Sequence, residues 1–338
     1  GNTWLSLGIL WNGFRLIKKI TIMWTYNIRN FLRKSFKFGI FIPLSNLILM
    51  YANKIIPASW IEKIVRYRRI LIERRINQIL NNYMFIAADE IEMTPPIEKA
   101  PIWFCWLQGE VNLPDIPSLC LKSIRKYANG HPVIVITIEN YPSYVQLPSH
   151  VIRMYDQGKL KNAHFADILR VSLLYQKGGL WLDSTILVTD KLPESIFNTL
   201  FYTIKNKEFG YYVSHCRWSV FVLGGWQHNP LYGIVSNLFY EYLLKSDCFV
   251  DYFMFDHLID IVYKQNVGIK VMIDDVPFNN PHVHTLNAFL CSKYEENVFD
   301  ELTRDTFLFK LNWKCYTKVD LEREPNNLYN HLKSLIVE

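Results

Sequence analysis

Between residues 101 and 188 the hydrophobic pattern switches repeatedly between strand and helix periods, and this alternation restricts the fold more than any other feature of the chain. "PIWFCWLQG" (101–109) reads as a strand, and Ile116 to Ala128 as a helix with apolar Leu119, Leu121, Ile124 and Tyr127. "HPVIVITIEN" (131–140) is an almost continuous β-branched run, the mark of a strand covered on both faces. "HVIRMYD" (150–156) predicts another strand. Ala163 to Gln176 predicts a helix closed by Gly178 and Gly179, and "LWLDSTILV" (180–188) a strand again. Such spacing implies βαβ units and an α/β domain built on a mainly parallel sheet flanked by helices. Ligands of these sheets bind beyond the carboxyl ends of the strands. No G-x-G-x-x-G follows the first strand and no G-x-x-x-x-G-K-[ST] occurs, so neither a dehydrogenase-type dinucleotide site nor a P-loop is indicated.

The 338 residues are half hydrophobic and 15% aromatic, enough to bury a sizeable core and to exclude wholesale disorder. Six cysteines at 105, 120, 216, 248, 291 and 315 form no C-x-x-C pair, which speaks against a zinc cage and for a reducing, intracellular compartment.

Two acids stand out. Asp167 and Arg170 are three apart and share a helical face, while Leu169, Leu173 and Leu174 supply the buried side. Such a face can grip a polyol, since Asp accepts from hydroxyls and Arg donates to hydroxyls or phosphate. The plainer alternative is an intrahelical ion pair worth a few tenths of a kcal/mol. Asp183 lies inside an apolar strand pattern, where Asp is rare and an unpaired carboxylate is costly. It demands a cation or strong donors.

These residues carry a resemblance. D-I-L-R at 167–170 followed by L-Y-x-x-G-G-x-W-x-D at 174–183 resembles nucleotide-sugar glycosyltransferases of the GT-A fold. The capsular polysaccharide synthesis family, related to the DXD-motif sugar transferases and the glucosylating bacterial toxins, is the one it looks like. "WFCWLQG", "SHCRW" (214–218), "DYFMFDHLI" (251–259) and "FLFKLNWK" (307–314) extend the likeness over roughly residues 100–315. It implies that Trp106 stacks on the uracil of a UDP-sugar donor, a role Trp103 could also take. Asp167 and Arg170 would hold the donor sugar, and Asp183 would be the first acid of DXD and a ligand of Mn²⁺ or Mg²⁺. Thr185 stands where the second acid belongs, and a threonine hydroxyl is a poor ligand for either metal. Asn312, Trp313 and Lys314 match a late loop that closes over the diphosphate, with Lys310 or Lys314 as an added positive charge. Asp256, His215 and Arg217 are acceptor-side candidates, and Asp256 is also counted among the catalytic ones. The helical stretch with Asp251, Asp256 and Asp260 otherwise reads as a surface face. His282 and His284 in "PHVHT" lack a third ligand and read as structural.

The implied reaction is transfer of a hexose to a growing, lipid-linked glycan with retention of configuration. The other reading is a catalytically weakened GT-A-fold protein that binds a nucleotide sugar or a glycan.

Charge divides the chain. Through residue 88 there are 14 Lys and Arg against Glu62 and Glu73, a net +12 on a chain whose total is +6. The arm is apolar too: Trp4, Trp11, Trp24, Leu7, Phe14 and Ile17 are interleaved with Arg15, Lys18 and Lys19. Phe38 to Ala52 is uncharged, yet it is shorter than the about 20 apolar residues of a membrane span and is interrupted by Pro43, Ser45 and Asn46. "SWIE" at 59–62 reads as a capping box ahead of a basic amphipathic helix to about Leu80. Tryptophan with Lys and Arg on such helices predicts an arm, residues 1–95, lying on an anionic membrane, before a GT-A domain at 96–338. The alternative is a helical cap with a solvated basic face. The expected place is cytoplasmic, peripheral on the inner face of the cell membrane. No small-residue cleavage site follows the first apolar run, and no nucleic-acid-binding motif is visible.

Overall fold

The computed structural model describes residues 28–51, 55–80, 92–96, 98–206 and 212–337, so Trp4, Trp11, Trp24 and the cations between them lie outside the described residues. The chain forms two compact units, residues 1–79 and 80–338.

In the first unit a helix at 28–38 (α1) is followed by α2 (Phe41–Tyr51) and α3 (Ala58–Leu80). Phe41 and Tyr67 meet edge to face at 4.8 Å. The α3 helix opens two residues earlier than the expected capping box allows. The Pro57 carbonyl accepts from the amides of Trp60 and Ile61, so Ser59 lies inside the first turn instead of capping it. No helix among the described residues is long and apolar enough to cross a membrane.

The second unit runs β1 (Ile102–Cys105), α4 (Asp115–Tyr127), β2 (Val133–Ile136), α5 (Ser149–Asp156), α6 (Asn162–Lys177), β3 (Gly179–Leu182), β4 (Ile186–Val188), β5 (Phe201–Thr203) and β6 (Val222–Gly225). It continues with α7 (Pro230–Lys245), α8 (Met254–Gln265), α9 (Val267–Asp274), α10 (Glu296–Thr303), β7 (Leu308–Lys310), α11 (Lys318–Glu322) and α12 (Leu328–Val337). Five strands form one sheet in the order β2-β1-β3-β6-β5. β1 is parallel to β2 and β3, β6 is antiparallel to β3, and β5 antiparallel to β6. Only β6 therefore runs against the rest, as expected of a mainly parallel α/β sheet. Its middle strands are covered on both faces: every residue of β3 and β6 is buried.

Two expectations change. Residues 150–156 form helix α5, not a strand, with Val151 and Met154 turned inward at helical spacing. The run 180–188 is two strands instead of one. After Leu182 the chain turns, with the Ile186 amide returning to the Asp183 carbonyl. β4 then leaves the main sheet and pairs antiparallel with β7, aligning Ile186 with Lys310. A second apolar cluster around Leu187, Phe309 and Leu311, covered by Cys120 of α4 and Leu332 of α12, anchors that small sheet. Each fully buried side chain of this size contributes about 1.5–3 kcal/mol.

Candidate active site

The carboxyl end of β3 delivers Asp183 to the edge where ligands of parallel sheets bind. Its partners come from three separated parts of the chain. From α6, Arg170 Nη2 donates to Asp183 Oδ1 at 3.0 Å, and the same nitrogen is 3.4 Å from Asp167 Oδ1. Arg170 Nη1 donates to the Val220 carbonyl at 2.6 Å. Its guanidinium lies 4.9 Å over Trp181 and 5.5 Å over Phe255. The Trp181 indole N–H gives Asp183 Oδ1 a second donor at 2.9 Å. From β7, Lys310 Nζ donates to Asp183 Oδ2 at 3.0 Å and to Thr185 Oγ1 at 2.7 Å.

The expected Asp167–Arg170 pair thus exists, but Arg170 bridges two carboxylates and is almost wholly buried. Asp183, for which the sequence required a cation or strong donors, has two cations and the Trp181 N–H. Burial alone would raise its carboxyl, yet Lys310, Arg170 and the Trp181 N–H outweigh burial and hold it below the usual range. Asp167 goes the other way. Burial pushes it up to about 7; Arg170 opposes this, and Asp183 and Asp256 add to it. Asp256, in the first turn of α8, is pushed up to about 6 by burial although the Trp218 N–H donates to it at 3.0 Å. The Cys105 thiol, at the end of β1 beside Arg170 and Asp183, is pushed up to about 12 by burial and stays neutral.

The raised Asp167 carries a sign that can be checked. A carboxyl whose folded pKa exceeds its unfolded value stabilises most when both states are protonated, below about pH 4. That contribution is lost as pH rises to about 7. Asp167→Asn removes the slope. The variant's melting temperature relative to the parent should therefore climb between pH 4 and pH 8. With a fifth of the side chain exposed, the swing is on the order of 1–3 kcal/mol. A difference that stays flat over that range would contradict the assignment.

The remaining candidates separate into two groups. Trp106 follows β1 and meets Trp313 edge to face at 5.9 Å. Lys314 Nζ is 5.5 Å from the Trp313 ring. Asn312 shapes this loop: its amide donates to Asn287 Oδ1 and its side chain accepts from the Lys314 amide. The loop adjoins the Asp183 turn, because the Leu311 amide donates to the Thr185 carbonyl. Trp103 is settled as a core residue, buried and donating to the Gly178 carbonyl at 2.8 Å. On the α8 side, Arg217 is engaged by Asp260 at 2.7 Å and packs over Tyr263 and Trp218 at 4.0 and 4.6 Å. Asp251 and Asp260 are buried, so that stretch is not a surface face; Asp251 is 3.1 Å from His257 Nε2. His215 is exposed in the same loop with a left-handed backbone (φ 49°). His282 lies 3.9 Å from Asp305.

Lys310, expected only as one of two candidates for an added positive charge, is a direct partner of Asp183. The signal was present: a lone lysine in the apolar run "FLFKL" mirrors the lone aspartate in "LWLDS".

A divalent metal does not fit this arrangement. Mg²⁺ and Mn²⁺ require several oxygen ligands, at about 2.0–2.1 Å for Mg²⁺. Asp183 already accepts three hydrogen bonds, its neighbour Thr185 holds the same ammonium, and among the described residues no three His, Cys, Asp or Glu gather to hold a metal ion.

A family model described as capsular polysaccharide synthesis protein matches residues 53–332. The match starts ahead of α3 and so takes in more than the stretch carrying the resemblance. A search of curated proteins finds no match. Several solved structures resemble the chain. One, described as "PaToxG Glycosyltransferase", is 14% identical over 80% of this chain and 98% of that one, with a TM-score of 0.36.

Proposed function

Since the chain belongs to the capsular polysaccharide synthesis protein family, we propose that it is a GT-A glycosyltransferase moving a hexose from a UDP-sugar to a lipid-linked glycan. The observation that carries the reading is Asp183 at the carboxyl end of β3, clamped by Arg170 and Lys310 beside the Trp106–Trp313 pair. The donor's base would lie against Trp106, whose indole N–H is buried without an acceptor among the described residues. Hydroxyls of the donor would find Asp167 and the remaining acceptor site on Asp183 Oδ2.

The chemistry asks for charge compensation. The anomeric C–O bond breaks with its electron pair passing to the diphosphate oxygen, and Lys310 faces the growing charge. The acceptor oxygen bonds to the anomeric carbon. Its proton leaves to the diphosphate, the front-face route that retains configuration, or to Asp256. The oxocarbenium-like sugar is favoured by the carboxylates around it.

Incubation of the full chain with a panel of nucleotide sugars, without acceptor, tests the proposal through the slow release of nucleoside diphosphate. Release from one donor, lowered several-fold by Trp106→Ala through KM, is expected. Absence of both release and binding for every donor would refute it. Asp183-dependent binding without release would favour the weakened-enzyme reading, for which Thr185 at the second acid position is the supporting observation.

Membrane attachment belongs to the same proposal. Ile28, Leu32 and Phe36 recur every fourth residue on α1 and are exposed, Phe36 at 94%, with Arg29, Arg33 and Lys34 between them and Lys37 directly after. On α2, Leu44, Leu47 and Met50 are exposed as well. An apolar stripe edged by cations is the form of a helix lying in an anionic interface. Co-sedimentation with phosphatidylserine vesicles should fall at least ~10-fold in the Leu32→Asp/Phe36→Asp double variant, given about 1.5–3 kcal/mol per buried side chain. Binding to phosphatidylcholine vesicles should be weak throughout, and salt should weaken the rest. Undiminished binding of the double variant would rule out this stripe.

A further inference from the structure

We propose that Lys310 stands in for the divalent cation, so that the nucleotide diphosphate site is complete without metal; this rests on the nucleotide-sugar reading above. The ammonium lies between the first and third residues of the Asp183-Ser184-Thr185 turn, 3.0 Å from Asp183 Oδ2 and 2.7 Å from Thr185 Oγ1. Those are the positions from which two acids would share a metal ion. The charges match in either arrangement. Two carboxylates balance a divalent ion, whereas one carboxylate and one hydroxyl balance one ammonium. The threonine at the third position and the lysine on β7 are two halves of one substitution, and the threonine is not a decayed acid.

Backbone structure holds the lysine there. The Lys310 amide donates to the Val283 carbonyl at 2.7 Å, and the next amide donates to the Thr185 carbonyl at 2.9 Å. The pairing of β4 with β7 sets Lys310 opposite Ile186, and its ammonium lies 5.2 Å from the Phe221 ring. Arg170 and Trp181 occupy Asp183 Oδ1 from the other side. A metal ion reaching Asp183 would find one acceptor site beside a fixed positive charge. An ammonium offers three N–H donors, of which two are used here. A quarter of the Lys310 side chain is exposed, leaving the third donor for a diphosphate oxygen.

Titration calorimetry of the full chain with UDP, GDP, ADP and TDP, in EDTA and in Mn²⁺ or Mg²⁺, tests this without relying on turnover. The expected result is binding of one nucleotide in EDTA, with Kd changed less than about threefold by either metal. Lys310→Met should weaken that binding at least tenfold, with no rescue by metal, while Lys310→Arg retains most of it. If the methionine variant does not fold, the parent's EDTA titration and the arginine variant still decide. Binding by the parent only when metal is added would overturn the proposal and leave the nucleotide-sugar reading standing. Failure to bind any nucleotide in either condition would overturn both.

Discussion

Asp183→Asn is expected to cut sugar transfer at least ~10²–10³-fold, the scale on which removal of one preorganised electrostatic group acts. The substitution is nearly isosteric, and the amide oxygen can still accept from Trp181 and Arg170. What disappears is the negative charge between two cations. Arg170 keeps Asp167 at 3.4 Å, but Lys310 keeps only the Thr185 hydroxyl. Stability should therefore fall as well. Removing one partner of a buried ion pair costs about 3–5 kcal/mol, and the quarter exposure of Asp183 and Lys310 brings this to about 1–3 kcal/mol. The two effects separate experimentally. Transfer is measured well below the variant's melting temperature, and nucleotide affinity is measured on the same sample. Retention of full activity would remove Asp183 from the chemistry, and an unchanged melting temperature would show that the two cations do not depend on it.

What the sequence revealed depended on distance along the chain. Asp167, Arg170 and Asp183 lie within 17 residues, and helical spacing plus a polar group in an apolar strand was enough to single them out. Lys310 lies 127 residues from Asp183, and only the β4–β7 register brings them together. That register depends on the chain leaving the main sheet at the Asp183 turn, which a reading of 180–188 as one strand conceals. The Trp106–Trp313 pair is of the same kind: each residue was a candidate on its own, and nothing local links them. The error at 150–156 has another cause. A seven-residue run with Val151, Ile152 and Met154 satisfies either period, and Pro148 immediately before helix α5 was the start signal to weigh.

Gly179→Ala is expected to be the most damaging glycine-to-alanine substitution among the described residues. Gly179 opens β3 with φ +95°, a conformation that L side chains rarely adopt. A Cβ there would lie 2.3 Å from the Pro101 carbonyl oxygen and 3.1 Å from Trp103 Nε1. Neither neighbour can yield cheaply. The Pro101 carbonyl accepts the Leu180 amide at 2.9 Å, at the start of the β1–β3 pairing, and the Trp103 indole is held by the Gly178 carbonyl at 2.8 Å. The methyl group must push apart the two central strands, and the movement reaches Asp183 four residues later. Gly158→Ala provides the control. Its φ is also positive, +68°, but nothing lies within 4 Å of the added carbon. That variant should lose about 1 kcal/mol, the backbone strain alone. Gly179→Ala should lose more than about 4 kcal/mol, in the range that marks a specific steric conflict, or fail to fold. Urea unfolding of the two variants side by side makes the comparison. Equal losses would mean that β3 does not approach Pro101 this closely, and that Asp183 is not positioned by the contact.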